Sequence, residues 1–339
     1  MDITLIIPLL FGFLVTLFSV YYWVRRAEKS GLTGKDMNKY NGNQVAESGG
    51  ISVILGFIIG VLVYVAIETF YIKENKNVAE IFALVITFLS IAFIGFIDDI
   101  LNWKIGLSKK TRILLILISS IPLMVINAGE STMLGINFGI FYPLIFIPIS
   151  ILCASVGFNT IAGYNGLETR QAILLFLSIL IVTYLNGFAW LSFISLIMII
   201  SLLGFYIFNK YPAKVFPGNV LTYATGALFA VIAILGNIEK IAIFFFIPYI
   251  IEVGLKLRGK LEKESYAKPN YDGSLEMPYD KIYGLEHLSI LILKKIKPNK
   301  KVYEKDVVLL INAFQILIIL IGLIIFKVDV LSFLKDVFK

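Results

Sequence analysis

Long apolar runs separated by short polar segments dominate the chain. A bilayer core of about 30 Å is crossed by about 20 apolar residues in a helix. Ten runs approach that length, at 3–24, 50–71, 79–97, 113–128, 142–157, 172–185, 188–208, 221–235, 241–257 and 307–326. They predict an all-α polytopic membrane protein of about ten transmembrane helices, forming one domain over 1–339. The fourth, fifth, sixth and eighth runs are short. Little more than Asn186 and Gly187 separates the sixth from the seventh, which predicts a tight turn. The stretch 258–306 is the only sizeable polar segment, with a turn signal at 270–273 (NYDG). Residues 133–141 alternate weakly and predict a small hairpin. The tail, 327–339, reads as an amphipathic surface helix.

Charge orients these runs. Twenty-four of the 30 Lys and Arg residues fall in the odd-numbered loops, twelve of them between Lys256 and Lys305. Cytoplasmic loops carry such an excess, so the odd loops are expected inside and both termini outside. The net charge of +7 is then the charge of cytoplasmic loops, and nucleic acid is not an expected partner. With 58% hydrophobic residues, 16% charged residues and a mean hydropathy of +0.88, a soluble domain of this length is excluded. One cysteine, Cys153, and one histidine, His287, exclude a disulfide framework and Cys- or His-based metal clusters. Cys153 is expected in the core, His287 as packing or surface. The first run lacks a basic leader and a small-residue cleavage site, so it is expected to remain a span.

The candidate chemistry lies beside the odd loops. The stretch 95–102 (GFIDDILN) ends an apolar helix on Asp98 and Asp99. Adjacent carboxylates suit Mg²⁺ or a base; a solvated helix end is the alternative, although an acid pair at a helix C-terminus opposes the helix dipole. The stretch 158–168 (FNTIAGYNGLE) breaks an apolar run with two Asn and two Gly, either a ligand loop or an ordinary turn. The stretch 209–219 (NKYPAKVFPGN) can cradle a phosphate or a base, or form a rigid re-entry turn. Residues 34–39 (GKDMNK) followed by 47–50 (ESGG) place a Gly pair at a helix start, a potential anion site. Residues 108–112 (SKKTR) read as a membrane anchor or as phosphate-binding cations. Glu68 and Glu252 lie near span ends and are expected at the interface, exposed.

Together these pieces resemble the polyprenyl-phosphate N-acetylhexosamine-1-phosphate transferases, and most closely their UDP-GlcNAc:dolichyl-phosphate branch in archaea and eukaryotes. The resemblance rests on 34–39 with Glu47 and Ser48, 95–102, 159–168, 211–219 with the following YATG at 223–226, and 268–277. It runs from the first loop to the ninth. It implies ten spans with both ends outside and a cytoplasmic active site. The implied reaction transfers GlcNAc 1-phosphate from UDP-GlcNAc to dolichyl or another polyprenyl phosphate, with Mg²⁺ (Mn²⁺ as an alternative), and releases UMP. That reaction begins lipid-linked oligosaccharide synthesis for N-glycosylation. The resemblance assigns Asp98 and Asp99 to activation of the lipid phosphate or to metal organisation, and Asn159 to the metal. It places Gly163, Asn165 and Phe216 around the uracil and Glu47 near the nucleoside. Lys109 or Lys110 matches a phosphate-side lysine. It also implies a homodimer in contact with membrane lipid.

Two departures stand out. The family usually carries Asp where this chain has Asn219, so Asn219 is a metal candidate without charge. In the ninth loop the family places Arg residues on the pyrophosphate and sugar, where only Lys268 stands here. A single His argues against the muramoyl-pentapeptide branch, whose cytoplasmic loop is His-rich. The competing readings are a lipid or anion transporter, and a family member using another UDP-N-acetylhexosamine or undecaprenyl phosphate. Abundant Ile and Lys and compact length suggest an archaeal plasma membrane; an endoplasmic reticulum membrane is the eukaryotic equivalent.

Overall fold

A computed structural model describes residues 3–73, 76–101, 106–133 and 136–337. Asn102 and Lys104, from the motif and loop read above, lie outside them. Every apolar run becomes helical. In chain order the helices are α1 (Ile6–Ser30), α2 (Ile51–Ala66, continued by a π turn to Ile72), α3 (Val78–Ile100), α4 (Lys109–Ser119) and α5 (Ile121–Val125). They continue with α6 (Ile147–Phe158, entered through a π turn from Tyr142), α7 (Leu167–Leu185), α8 (Ala189–Asn209), α9 (Gly218–Leu235) and α10 (Glu239–Phe245). The last four are α11 (Ile247–Arg258), α12 (Leu285–Ile296), α13 (Glu304–Ile325) and α14 (Val330–Val337). The protein is mostly helical, and among the described residues seven helices are long and apolar enough to cross a membrane: α1, α2 with its π turn, α3, α7, α8, α9 and α13.

Two of the three remaining runs fall short for a visible reason. The fourth breaks at Ser120 into α4 and α5, and the ninth breaks at Phe246 into α10 and α11. Pro122 and Pro248 sit in the first turns after these breaks, where a missing N–H is tolerated but an uninterrupted helix is not. Helix α9 is the centre of the bundle, with every residue from Val220 to Leu235 buried. It packs against α3, α6 and α7, and α1, α2 and α8 form a second group beside it. Its Ala, Gly and Thr residues permit this closeness: a Cβ on Gly226 would lie 2.1 Å from the Ala154 carbonyl oxygen.

The smaller expectations resolve locally. Gly187, at φ 83°, makes the tight turn between α7 and α8. Thr132–Met133 pairs with Ile136–Asn137 as the small hairpin, and the tail forms α14. In the ninth loop Lys268–Pro269 pairs with Leu275–Glu276 across the expected turn, where Asp272 accepts from Ser274 N at 3.0 Å. Cys153 is not in the core; it is exposed on α6. Glu252 is fully buried rather than interfacial, because α12 folds back over the end of α11.

Candidate functional site

The acid pair at the end of α3 meets the start of α9. Asp99 Oδ1 accepts from Asn219 N at 2.8 Å, and its Oδ2 accepts from Val220 N at 3.1 Å. The carboxylate therefore caps a helix N-terminus, satisfying amides that have no intrahelical partner and facing the positive end of the dipole. Gly218 makes room for it. Its φ is 71°, and a Cβ there would fall 2.3 Å from Asp99 Oδ2. Asp98 is buried and has three donors: Leu107 N at 2.8 Å on Oδ1, with Arg112 Nη1 and Asn219 Nδ2 both at 3.1 Å on Oδ2. Arg112 Nη1 also donates to Tyr223 Oη at 2.7 Å.

Arg112, and not Lys109 or Lys110, is thus the cation that the fold brings to the acid pair. Both lysines are exposed on the first turn of α4, with no bond to the acids among the described residues. Arg112→Lys replaces the rigid guanidinium, whose one Nη1 serves both Asp98 and Tyr223, by a shorter, flexible and more strongly hydrated ammonium. It should lower activity about tenfold to a hundredfold, equivalent to about 1.4–2.7 kcal/mol, while Lys109→Ala and Lys110→Ala should stay within about threefold. Parallel turnover assays check this; equal losses at all three positions would refute the assignment.

The first loop joins the site along its backbone. Phe216 N donates to the Ala46 carbonyl at 2.8 Å, Gly49 N to the Phe216 carbonyl at 2.9 Å and Gly50 N to the Pro217 carbonyl at 3.0 Å. This zipper seats Phe216, half-buried, and Glu47 beside Asp99. Burial, then the charge of Asp99, pushes the Glu47 carboxyl up to about 7. Asn159 reaches the same turn of α9, since its Oδ1 accepts from Thr222 Oγ1 at 2.7 Å.

The loop carrying Gly163 and Asn165 lies alongside. Gly163 has φ 97°, and its N–H donates to Glu168 Oε1 at 2.8 Å. Asn38 Nδ2 donates to the Gly163 carbonyl at 2.7 Å, and Asn38 Oδ1 accepts from Ala267 N at 3.0 Å, so one side chain ties the first, fifth and ninth loops together. Asn165 donates through its backbone to Glu304 Oε1 at 2.6 Å and through Nδ2 to Asp36 Oδ2 at 3.0 Å. Lys39 pairs with Glu304. The Tyr266 ring lies against Gly163, where a Cβ would come within 2.8 Å of it. Burial, then Glu168 and Glu47, pushes its phenol up to about 12, so it keeps its proton. Lys268 is exposed in the β-pair of the ninth loop.

Sequence reading passed over Asp36, Asn38, Tyr223 and Tyr266 as individual site residues. Asp36, Asn38 and Tyr223 sat within noted motifs; Tyr266 gave no local signal, because its contact at Gly163 lies more than a hundred residues away.

The bundle also holds an apolar groove of about 560 Å³. It begins at Ile113, next to Arg112, and runs between α6, α9, α10 and α11 past Cys153, Ala233 and Tyr249 to Tyr142 and Glu239.

Residues 81–237 match the family model described as glycosyl transferase family 4. A protein of Saccharolobus solfataricus provisionally named a UDP-N-acetylglucosamine–dolichyl-phosphate N-acetylglucosaminephosphotransferase is 35% identical over 84% of this chain and 88% of its own length. The Dictyostelium discoideum protein of that name is 30% identical over 66% of this chain and 64% of its own length. A Streptococcus pyogenes phospho-N-acetylmuramoyl-pentapeptide-transferase is 28% identical over 74% and 78%. By the extent of this similarity the chain belongs to glycosyl transferase family 4.

Proposed function

We propose that the protein transfers N-acetylglucosamine 1-phosphate from UDP-N-acetylglucosamine to dolichyl phosphate. An oxygen of the lipid phosphate attacks the β-phosphorus, the bond to UMP breaks, and UMP leaves with its phosphate. The names of the archaeal and Dictyostelium relatives support the substrates. The observation that carries the reading is the built site itself, in which Asp98 and Tyr223 hold Arg112 beside the start of α9 that Asp99 caps. The apolar groove lined by Ile113 of α4 and by α6, α9, α10 and α11 suits an isoprenoid chain, with its phosphate at Arg112 and the capped start of α9.

Phosphoryl transfer of this kind needs position and charge more than covalent help. A phosphate monoester has a second pKa of about 6, so the attacking oxygen is anionic at neutral pH without a base. That frees Asp98 and Asp99 to hold Arg112, Asn219 and α9 in place. The Gly163–Asn165 loop and Phe216 bind the nucleotide, with Glu47 beside it.

Mg²⁺ fits the donors present. The Asn219 amide nitrogen faces Asp98, which turns its oxygen away from the carboxylate. Asn159, at the end of α6, brings a second hard oxygen to the same turn of α9. Among the described residues no cluster of three His, Cys, Asp or Glu could hold a metal alone, so substrate phosphates and water would complete the shell, as Mg²⁺ prefers. Bound there, it would neutralise the pyrophosphate.

The Lys and Arg distribution supports ten crossings with both ends outside and this site on the cytoplasmic side, and the archaeal relatives favour an archaeal plasma membrane. The three broken or short helical pairs supply the additional crossings.

The test is to incubate purified protein with labelled UDP-GlcNAc, dolichyl phosphate and Mg²⁺ and to follow label into the organic phase. Label that EDTA abolishes is expected. Silence with every UDP-N-acetylhexosamine and polyprenyl phosphate tried would overturn the reading and favour transport. Ala233→Phe, which fills the groove, should raise the KM for the lipid about tenfold, equivalent to about 1.4 kcal/mol, and leave that for UDP-GlcNAc unchanged. Equal shifts in both constants would remove the lipid from the groove.

A further inference from the structure

Under the ninth loop lies a buried acid cluster that the transfer chemistry does not use. Glu252, near the end of α11, and Glu286, in the first turn of α12, are both fully buried. Glu252 Oε2 accepts from Leu285 N at 2.6 Å. Its Oε1 and both oxygens of Glu286 have no hydrogen-bond partner among the described residues. The two carboxyls face one small gap, kept open by Gly284: a Cβ there would lie 2.6 Å from Glu286 Oε2 and 2.9 Å from Glu252 Oε1.

Two dehydrated carboxylates cannot share such a gap without a positive charge or a proton between them. Lys256, 3.6 Å from Glu252 Oε1, balances one of them. Among the described residues no second cation pairs with either acid. Glu168 on α7 adds negative charge, and Tyr164, on the turn before it, faces both acids as a neutral phenol. His287, next on α12, is pushed toward its neutral form chiefly by burial. On α13, which packs on α12, Glu304 is already engaged by Lys39 and Asn165. A metal cation would have to sit against Lys256, so a proton is the better occupant. Burial first, then the charge of Glu252, holds the Glu286 carboxyl well above the usual carboxylate range.

We propose that Glu252 and Glu286 share one proton, and that this pair is a latch holding the ninth loop over the Gly163–Asn165 loop. The connection is continuous. Lys256 donates to Ser265 Oγ at 2.7 Å, the Tyr266 ring packs on Gly163, and Ala267 N donates to Asn38, which holds the Gly163 carbonyl. Loss of the proton puts a second charge beside Glu252, draws Lys256 between the two acids and releases Ser265. Because the folded group holds its proton more tightly than the unfolded one, its contribution is full below the usual carboxyl range and is lost as pH rises through its raised pKa.

The inference uses the donor-loop assignment proposed above for its functional consequence, but its primary readout needs no catalysis. Hydrogen–deuterium exchange of the 265–268 segment is compared between the wild type and Glu286→Gln at each pH from 6 to 9.5, which cancels the intrinsic pH dependence. Glutamine mimics the protonated acid and cannot ionise. Equal protection at pH 6 and progressively faster exchange in the wild type at alkaline pH are expected, and Glu252→Gln should behave like Glu286→Gln. The KM for UDP-GlcNAc should then rise at alkaline pH more steeply in the wild type than in either variant, by about one log unit per pH unit for the one proton lost, the contribution of Glu47 being common to all three. Identical exchange in wild type and variants across the range would overturn the latch. pH-dependent exchange without any transferase activity would retain the latch and overturn the proposed function instead.

Discussion

Replacing Asp99 by alanine should reduce transfer about a hundredfold to a thousandfold and lower the melting temperature at the same time. The coupling of the two effects follows from geometry. Asp99 accepts from Asn219 N and Val220 N, so its loss removes the cap of the helix at the centre of the bundle. A lost cap costs about 0.5–2 kcal/mol, and buried amides left without partners add about 1–3 kcal/mol each. The start of α9 also carries Asn219 and lies next to Phe216, so its displacement moves residues proposed for metal and nucleotide together. A loss of 2.7–4 kcal/mol in transition-state stabilisation corresponds to about 10²–10³ in rate. Asp99→Asn should show the same pattern more weakly, since one carbonyl can still accept while the amide nitrogen confronts an N–H. Organic-phase label and thermal unfolding of the same preparations decide the matter. Activity lost at an unchanged melting temperature would mean that Asp99 acts on the substrate and not on α9.

This role shows where sequence reading stops. The ten apolar runs located the helices because run length is a local property, and hydropathy decides it. The proline breaks at Pro122 and Pro248 were also visible in the sequence, but a count of apolar residues passes over them. The acid pair stood out because two carboxylates at the end of α3 oppose that helix's own dipole. What resolves the conflict is the positive end of α9, some 120 residues further along, and no local pattern contains it. Arg112 was within reach. Arg112, Ile116 and Ser119 recur at the spacing of one helix face, and Ile116 and Ser119 are the buried positions of α4. That periodicity separates Arg112 from the lysines beside it. Glu252 was out of reach: its burial depends on α12 folding back from a loop that read only as polar.

Asn219→Asp should make the folded protein depend on Mg²⁺. In the present arrangement Asn219 Nδ2 and Arg112 both donate to Asp98 Oδ2. A carboxylate at position 219 removes one donor and brings a third acid to a site with one arginine. Without metal, the lost hydrogen bond to a charged group alone costs about 1.5–3 kcal/mol, and repulsion adds to it, so the melting temperature should fall. With metal, the same change supplies a charged hard-oxygen ligand where the wild type offers a neutral amide. The midpoint for Mg²⁺ in the transfer assay should then drop about tenfold, equivalent to about 1.4 kcal/mol. Metal that binds only the folded protein stabilises it by RT ln(1 + c/Kd) at free Mg²⁺ concentration c, which grows as Kd falls. The Mg²⁺-induced rise in melting temperature should therefore be larger in the variant than in the wild type. A titration of both proteins with Mg²⁺, read by unfolding and by activity, tests the two halves separately. A variant with an unchanged melting temperature in EDTA would mean that Asn219 is not a donor that Asp98 needs. An unchanged Mg²⁺ midpoint would mean that the metal sits elsewhere, and Asn159 would then lose its proposed role along with Asn219.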